Sequence, residues 1–524
     1  MGSSSSKSAR PTWPTVEKFR RPALEPKMSD LTLSDTDSSE DPEPSRSLRL
    51  EAATKWEAKL LSEPKNRLAL AALSTHASTA ILQKPSALLH DTHVFSDQIE
   101  LEGTPVTNQR SSGRCWLFAS TNVFRVPIIK KYKLTGFELS QNYLFFWDKL
   151  EKANFFLEQI IDTQEEDLDG RLIQYLLQSP VGDGGQWDMV VNLVEKYGLI
   201  PQAFYPDSFN SKSSGRINWL ITAKLREAAL TLRSLGSSCK SGELGKYKAK
   251  VLREIFGILV LSLGVPPKPD DTFTWSFHDK DGKFRSITTT PLEFYRENTG
   301  TISYGAGVID GVLGGGDRGG VAERFSLVND PRNEYNRLLT VERLGNVVGG
   351  GGVKYVNVSI DVKPLQIPPH GTVPVTPQEV AMKSTAIAMI KAQRPVFFGC
   401  DVGKFAEGAR GIMDTDLFDY ELGYNITLCM NKAERLRTGE SSMTHAMVLS
   451  GVNIVDGKPT KWRVENSWGA ESGEKGYWLM SDAWFDEYCY QVVTDPAFVS
   501  NEVLNVLKQD PISLPIWDPM GSLA

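Results

Sequence analysis

The sequence predicts an α+β fold, with helices concentrated in the first half of the chain and strands in its last third. Helical apolar spacing recurs from Leu48 to about His76, at Val190 to Tyr197, at Ile217 to Leu235 and at Lys246 to Leu263. Short strand signals gather after Pro377, at Val396 to Gly399, Ala446 to Val452, Lys461 to Glu465 and Tyr477 to Met480, each bounded by turn residues. Between these two regimes, helical stretches alternate with strand-like pieces around Trp275 and from Val353 to Ile360.

Residues 1–47 are Ser- and Pro-rich, basic at first and then acidic, and cannot bury enough apolar surface to order themselves. They are expected to form a disordered tail. Their start, Met1-Gly2-Ser3-Ser4-Ser5-Ser6, fits the pattern for myristoylation of Gly2, with Lys7 adding weak membrane attraction, which would supply a lipid tether. Residues 48–210 read as a first lobe. It holds N-terminal helices broken at Pro64, a helix that starts near Cys115 and carries Trp116 to Phe124 inward, and a further helix ended by Gly198.

Residues 211–375 read as a large, mainly helical middle region. Its Gly-rich stretch at 298–320 includes Gly314-Gly315-Gly316-Asp317-Arg318-Gly319-Gly320, which lacks the Gly-Lys-Ser/Thr ending of a phosphate cradle and is expected to be a loop. Residues 376–490 form the β-rich lobe. In the tail, 491–524, Pro511, Pro515 and Pro519 predict an extended course.

The net charge of -6 argues against a surface that is wholly a nucleic-acid footprint, although Lys240, Lys246, Lys248 and Lys250 leave a local basic lining for a single-stranded nucleic acid as an alternative role. The longest apolar run, Ile255 to Leu263, is broken by Gly257 and Ser262 and is too short to span a bilayer. Five scattered cysteines, without a signal-peptide core ahead of them, point to a reducing compartment. The cytoplasm is the expected location, with room for a mitochondrial or membrane-tethered pool; Glu17 and Glu25 make the basic start a poor transit peptide. No Cys-x-x-Cys pair exists and His90 and His93 have no cysteine partners, so neither a metal nor a cofactor is expected.

The chemistry-bearing run is Gln109-Arg110-Ser111-Ser112-Gly113-Arg114-Cys115-Trp116, which places a thiol where loop becomes helix. Peptide dipoles at a helix N-terminus favour a thiolate, and the Gln109 amide can donate to the oxyanion formed when that thiolate attacks a carbonyl. A lone cysteine is more often a small buried hydrophobe. Two later segments weigh against that. In Met443-Thr444-His445-Ala446-Met447 a solitary His precedes a strand, and 21 residues on, Glu465-Asn466-Ser467-Trp468-Gly469 offers an Asn beside a Trp. A Cys–His–Asn system needs these parts: His445 to move protons, Asn466 to orient the imidazole and Trp468 to shield their hydrogen bond.

Taken together, the Cys115, His445 and Asn466 segments resemble the papain-like cysteine peptidases, a two-lobed α+β fold with a helical left lobe and a β-barrel-like right lobe. Two departures go together: Ser112 stands where secreted members have a disulfide cysteine, and Val181-Gly182-Asp183-Gly184-Gly185 resembles their Cys-x-Gly-Gly segment without its cysteine. His445 lies 330 positions after Cys115, against about 130–150 in the small secreted enzymes, so a large segment is inserted. The insertion, with Pro64-Lys65-Asn66-Arg67, Gly185-Gln186-Trp187, Asn329-Asp330-Pro331-Arg332, Leu344 to Gly350 and Pro515 to Gly521, resembles the bleomycin hydrolase family over roughly residues 50–524.

That resemblance implies a cysteine-type aminopeptidase that removes N-terminal residues from peptides, hydrolyses amides of bleomycin-like compounds and assembles as a homohexameric barrel with internal active sites. It also implies that the C-terminal arm enters the cleft, where a carboxylate on Ala524 would pair with the substrate's α-amino group. Trp116 would support the nucleophile from beside it.

Overall fold

The computed structural model describes residues 47–89, 92–100, 103–237, 241–300, 321–361 and 382–523. The expectations for the tail 1–46 with Gly2, for most of the Gly-rich stretch (301–320), for Lys240 and for Ala524 lie outside the described residues. The chain divides into one unit ending at His76 and a second running from Ala77 to Ala524.

In the first unit, helices Leu50–Ser62 and Pro64–Leu73 meet at Pro64, which sits at the start of the second, where its missing N–H costs nothing. The Asn66 amide donates to the Leu60 carbonyl and the Arg67 guanidinium to those of Leu61 and Ser62. The Pro-Lys-Asn-Arg run thereby satisfies the carbonyls that the first helix leaves open at its end.

The second unit is built on helix Cys115–Tyr132, which is buried on nearly every side and carries its few buried polar groups, Asn122 and Arg125 among them, hydrogen-bonded to neighbours. Helices Gln141–Asp162 and Trp187–Tyr197 share its apolar cluster, and Gly215–Ser237 and Ser241–Leu263 pack as a pair beside them. A 12-stranded sheet forms the other half. Its path runs Ile512–Leu514, Arg337–Val341, Lys354–Asn357, Phe325–Val328, Cys489–Thr494, Val396–Cys400, His445–Val455, Lys458–Glu465, Tyr477–Ser481, Ile412–Met413 and Ala406–Glu407, with Asp97–Gln98 paired to His445–Val455. A separate hairpin joins Phe273–His278 to Phe284–Thr289.

Strand alternation gives this sheet two apolar faces and the molecule two cores. From strand His445–Val455, Ala446 and Val448 join the cluster of the Cys115 helix, while Met447 and Leu449 join Trp462, Trp484 and Met389 on the far side. The strand that begins with His445 is therefore clamped from both faces.

The structure departs from the sequence reading in two places. The segment 211–375 is not set apart as a mainly helical insertion, because its strands Phe325–Val328, Arg337–Val341 and Lys354–Asn357 are members of the same sheet as the His445 strand. Apolar alternation predicts a strand but not its partner. The tail from 491 is also not simply extended. Residues 489–494 are an interior strand, Asn501–Val506 is a helix whose first turn the Ser500 hydroxyl caps, and Pro519–Gly521 is a 3-10 turn. Prolines constrain only their immediate neighbours, and all three lie beyond that helix.

Helix Trp187–Tyr197 stops at Gly198, whose φ of 75° is left-handed. A Cβ there would lie 2.2 Å from the Pro291 carbonyl carbon, which is backbone and cannot turn aside. Gly198→Ala is expected to lower unfolding free energy by about 2–4 kcal/mol, combining left-handed strain with overpacking. Denaturant titration checks this, and a loss below about 1 kcal/mol would contradict it.

Candidate active site

The loop that delivers Cys115 is held from several directions. The Gly113 N–H donates to Asp183 Oδ2 at 2.9 Å, and buried Arg114 pairs with Asp207 at 2.7 Å and donates to the Ser112 hydroxyl. The Ser111 N–H reaches the Lys212 carbonyl at 2.9 Å. Cys115 thus opens its helix from a rigid turn. On the opposite side, the Thr444 N–H donates to the Cys400 carbonyl, fixing His445 as the first residue of its strand.

His445 Nε2 lies 2.9 Å from Asn466 Oδ1, which also accepts the Ser467 N–H. An amide oxygen only accepts, so Nε2 carries the ring proton and Nδ1 is left as the base. The Trp468 ring lies 4.8 Å from the imidazole, centre to centre, tilted by 38°. It covers this pair from water. Gln109 is oriented at both ends of its amide: Oε1 accepts from the Ser467 hydroxyl at 2.7 Å, and one Nε2 hydrogen goes to the Ser112 carbonyl at 2.6 Å. Its second N–H remains for a ligand.

Cys115, His445, Gln109, Gly184, Trp468 and Leu523 line one cavity of about 590 Å³. Of the sequence-predicted residues, Cys115, His445, Gln109 and Trp468 therefore line a single site, Asn466 joins it through His445, and two stand apart. Trp116 lies beside it, its indole N–H on the Asp183 carbonyl at 2.7 Å and its ring against Gly185. Ala524 lies outside the described residues, but Ser522 just before the tail's end is held across the cleft: its carbonyl accepts from Gln186 Nε2 at 2.5 Å and its hydroxyl donates to the Met443 carbonyl at 2.8 Å.

Burial dominates the electrostatics. It pushes the Cys115 thiol up to about 11, against the pull of the N–H groups of Ala446, Trp116 and Cys115 itself. Burial likewise pushes the His445 imidazole down to about 4, with Asn466 opposing. The helix N-terminus pulls toward the thiolate, but desolvation outweighs these donors. A lone charge is therefore disfavoured on either group.

The depressed His445 value has a consequence for acid stability. Between pH 6.5 and about 4 the unfolded chain binds a proton at this position that the folded chain refuses, so stability is lost as pH falls through that window, by about 3 kcal/mol. His445→Gln, which cannot charge, is expected to lose less stability than the parent between pH 7 and pH 4. Equal losses in urea titrations at the two pH values would contradict the assignment.

Sequence reasoning passed over Asp183, Lys149, Lys152 and Gln186, all of which touch the loops around Cys115. The signal available was an acid, Asp183, between glycines in the segment that resembles Cys-x-Gly-Gly without its cysteine. Among the described residues no three His, Cys, Asp or Glu side chains are grouped to hold a metal ion, and no helix is long and apolar enough to cross a membrane.

The chain matches the model of the Peptidase C1-like family over residues 47–367 and 372–521. It is 44% identical to bleomycin hydrolase of Homo sapiens across 89% of this chain and 96% of that protein. It is 39% identical to cysteine proteinase 1, mitochondrial, of Saccharomyces cerevisiae across 92% of this chain and 94% of that protein. Among solved structures, PepW from Lactobacillus rhamnosis superposes with a TM-score of 0.81 at 37% identity, over 92% of this chain and all of that one.

Proposed function

Because this chain belongs to the Peptidase C1-like family and is a cysteine peptidase, we propose that Cys115, His445 and Asn466 form its catalytic set and that it acts as an aminopeptidase. The observation that carries the catalytic set is the 2.9 Å His445–Asn466 hydrogen bond on the wall of the cavity that also holds Cys115. His445 Nδ1 takes the Cys115 proton as sulfur attacks the substrate carbonyl carbon, and the spare Gln109 N–H donates to the oxyanion. Collapse expels the leaving amine, protonated by His445, and leaves an acyl-enzyme. Water, deprotonated by the same imidazole, then releases the acid.

The aminopeptidase reading rests on Ser522, whose bonds to Gln186 and Met443 carry the tail into the cleft, with Leu523 on the cavity wall. A carboxylate presented there by Ala524 would pair with a substrate's terminal ammonium and leave no space for a longer chain. Peptides with free N-termini are the proposed substrates, with amides of the bleomycin type as the human relative's name suggests. A homohexamer in the cytoplasm, with a mitochondrial pool, is the accompanying proposal.

Aminoacyl fluorogenic amides, free and N-acetylated, test this directly. The free amides are expected to be hydrolysed in an E-64-sensitive manner and the acetylated ones at least about tenfold more slowly, the equivalent of one modest ion pair. Equal rates would remove the aminopeptidase reading and leave the peptidase. For the single-stranded nucleic-acid alternative, Lys248 pairs with Glu158 and Lys250 lies 3.9 Å from Glu254, so these two lysines face carboxylates and the structure offers that reading no further support.

A further inference from the structure

The wall of the catalytic cavity at Gly184 belongs to the segment 181–185, and the charges buried behind it are used by no step of the proposed chemistry. Asp183 is their centre. Its Oδ2 accepts from the Gly113 N–H at 2.9 Å and from the Ser214 hydroxyl; its Oδ1 accepts from the Lys149 ammonium and the Asn218 amide, both at 2.6 Å. Its backbone carbonyl takes the Trp116 indole N–H. Gly113 and Trp116 flank Cys115, so one residue grips the nucleophile from both sides.

The remaining contacts hold the wall itself. Lys149 also donates to the Val181 carbonyl at 2.5 Å, and Lys152 donates to those of Gly182 and Gly184 at 2.9 and 2.7 Å while pairing with Asp148 at 2.7 Å. Both lysines come from helix Gln141–Asp162 and are buried, with two carboxylates to balance two ammonium groups. Bonds between charged partners are short and directional, which suits them to fixing a position. Packing is equally tight, since a Cβ on Gly185 would lie 2.5 Å from the Trp116 ring.

Ser214 and Asn218 come from the segment that follows residue 210, well away in sequence from the chemistry. The same segment holds the nucleophile loop through backbone bonds, from the Ser111 N–H to Lys212 and from the Ser214 N–H to Ser111. We propose that Asp183 is a positioning residue through which Ser214 and Asn218 set the spacing between the Gly184 wall and Cys115, making substrate binding depend on side chains about a hundred positions after the nucleophile in sequence. This rests on Cys115 being the nucleophile, as proposed above.

The test uses the full chain, with active sites counted by E-64 titration. In a Ser214→Ala/Asn218→Ala variant, KM for an aminoacyl fluorogenic amide is expected to rise about fivefold or more per active site with kcat within about twofold, the signature of lost binding. In Asp183→Asn, KM is expected to rise as well, and the pH midpoint of Cys115 alkylation by iodoacetamide to fall, because the Asp183 charge opposes the thiolate. A support role confined to folding would lower the titratable fraction and the melting temperature while leaving KM and that midpoint unmoved. KM within twofold of the parent in the double variant, which removes only neutral donors and stays informative if Asp183→Asn fails to fold, would overturn the proposal. A parent protein that E-64 does not titrate would instead remove the nucleophile reading, and the positioning role with it.

Discussion

Cys115→Ala is expected to lower kcat by about four orders of magnitude or more, the scale on which removing a nucleophile acts in enzymes whose catalytic groups work as a unit. Among the described residues no other thiol can stand in. Cys400 and Cys489 are also buried, but they sit in the core on the far face of the sheet, facing each other across neighbouring strands. Cys429 is exposed on a different segment. The substitution keeps the Cβ and loses one sulfur from a tight pocket, so the protein should fold and still bind substrate. Turnover of an aminoacyl amide above about one per cent of the parent, by a preparation free of parent enzyme, would rule out Cys115 as nucleophile. His445→Ala should fall nearly as far, and the double variant no further, because neither group acts without the other.

Removing Ser522 to Ala524 is the second large effect. The cavity at Cys115 is separated from a neighbour of about 450 Å³ by shared walls, Gly184 and Leu523 among them, and Ser522 and Gly521 line that neighbour. Cutting the tail at Ser522 removes its bonds to Gln186 and Met443 and joins the two spaces into one open groove. On the proposed pairing of the Ala524 carboxylate with the substrate ammonium, free-amine substrates lose about 2 kcal/mol of binding, close to a thirtyfold rise in KM. N-acetylated peptides gain a path and should be cleaved internally. Both are read by mass spectrometry of the products; unchanged exopeptidase products would show that the tail sets no specificity.

The elements that meet at the proposed site were legible because each has a local signature. The Cys115 helix opens from a Gly-Arg turn, and His445 and Asn466 stand in short polar runs beside apolar strands. Gly198 announced the end of its helix. Pairing was not legible. Nothing in Phe325 to Val328 says that it lies beside Cys489–Thr494, because partner choice depends on surfaces brought together from 160 residues away. The Asp183 network was hidden for a related reason. Lysines are usually solvent-facing, and only the fold reveals that Lys149 and Lys152 are buried against the carbonyls of another loop.

The shared sheet also sets a limit on how far this molecule can be pared down. Strands from the segment 325–357 lie between Ile512–Leu514 and Cys489–Thr494. A truncated version lacking 211–375 would strand the first of these without a neighbour and turn the second, wholly buried on both faces, into a bare apolar rim. Such an excision would yield a sticky, self-associating product in place of a compact minimal protease, so shortening of this chain has to spare those strands.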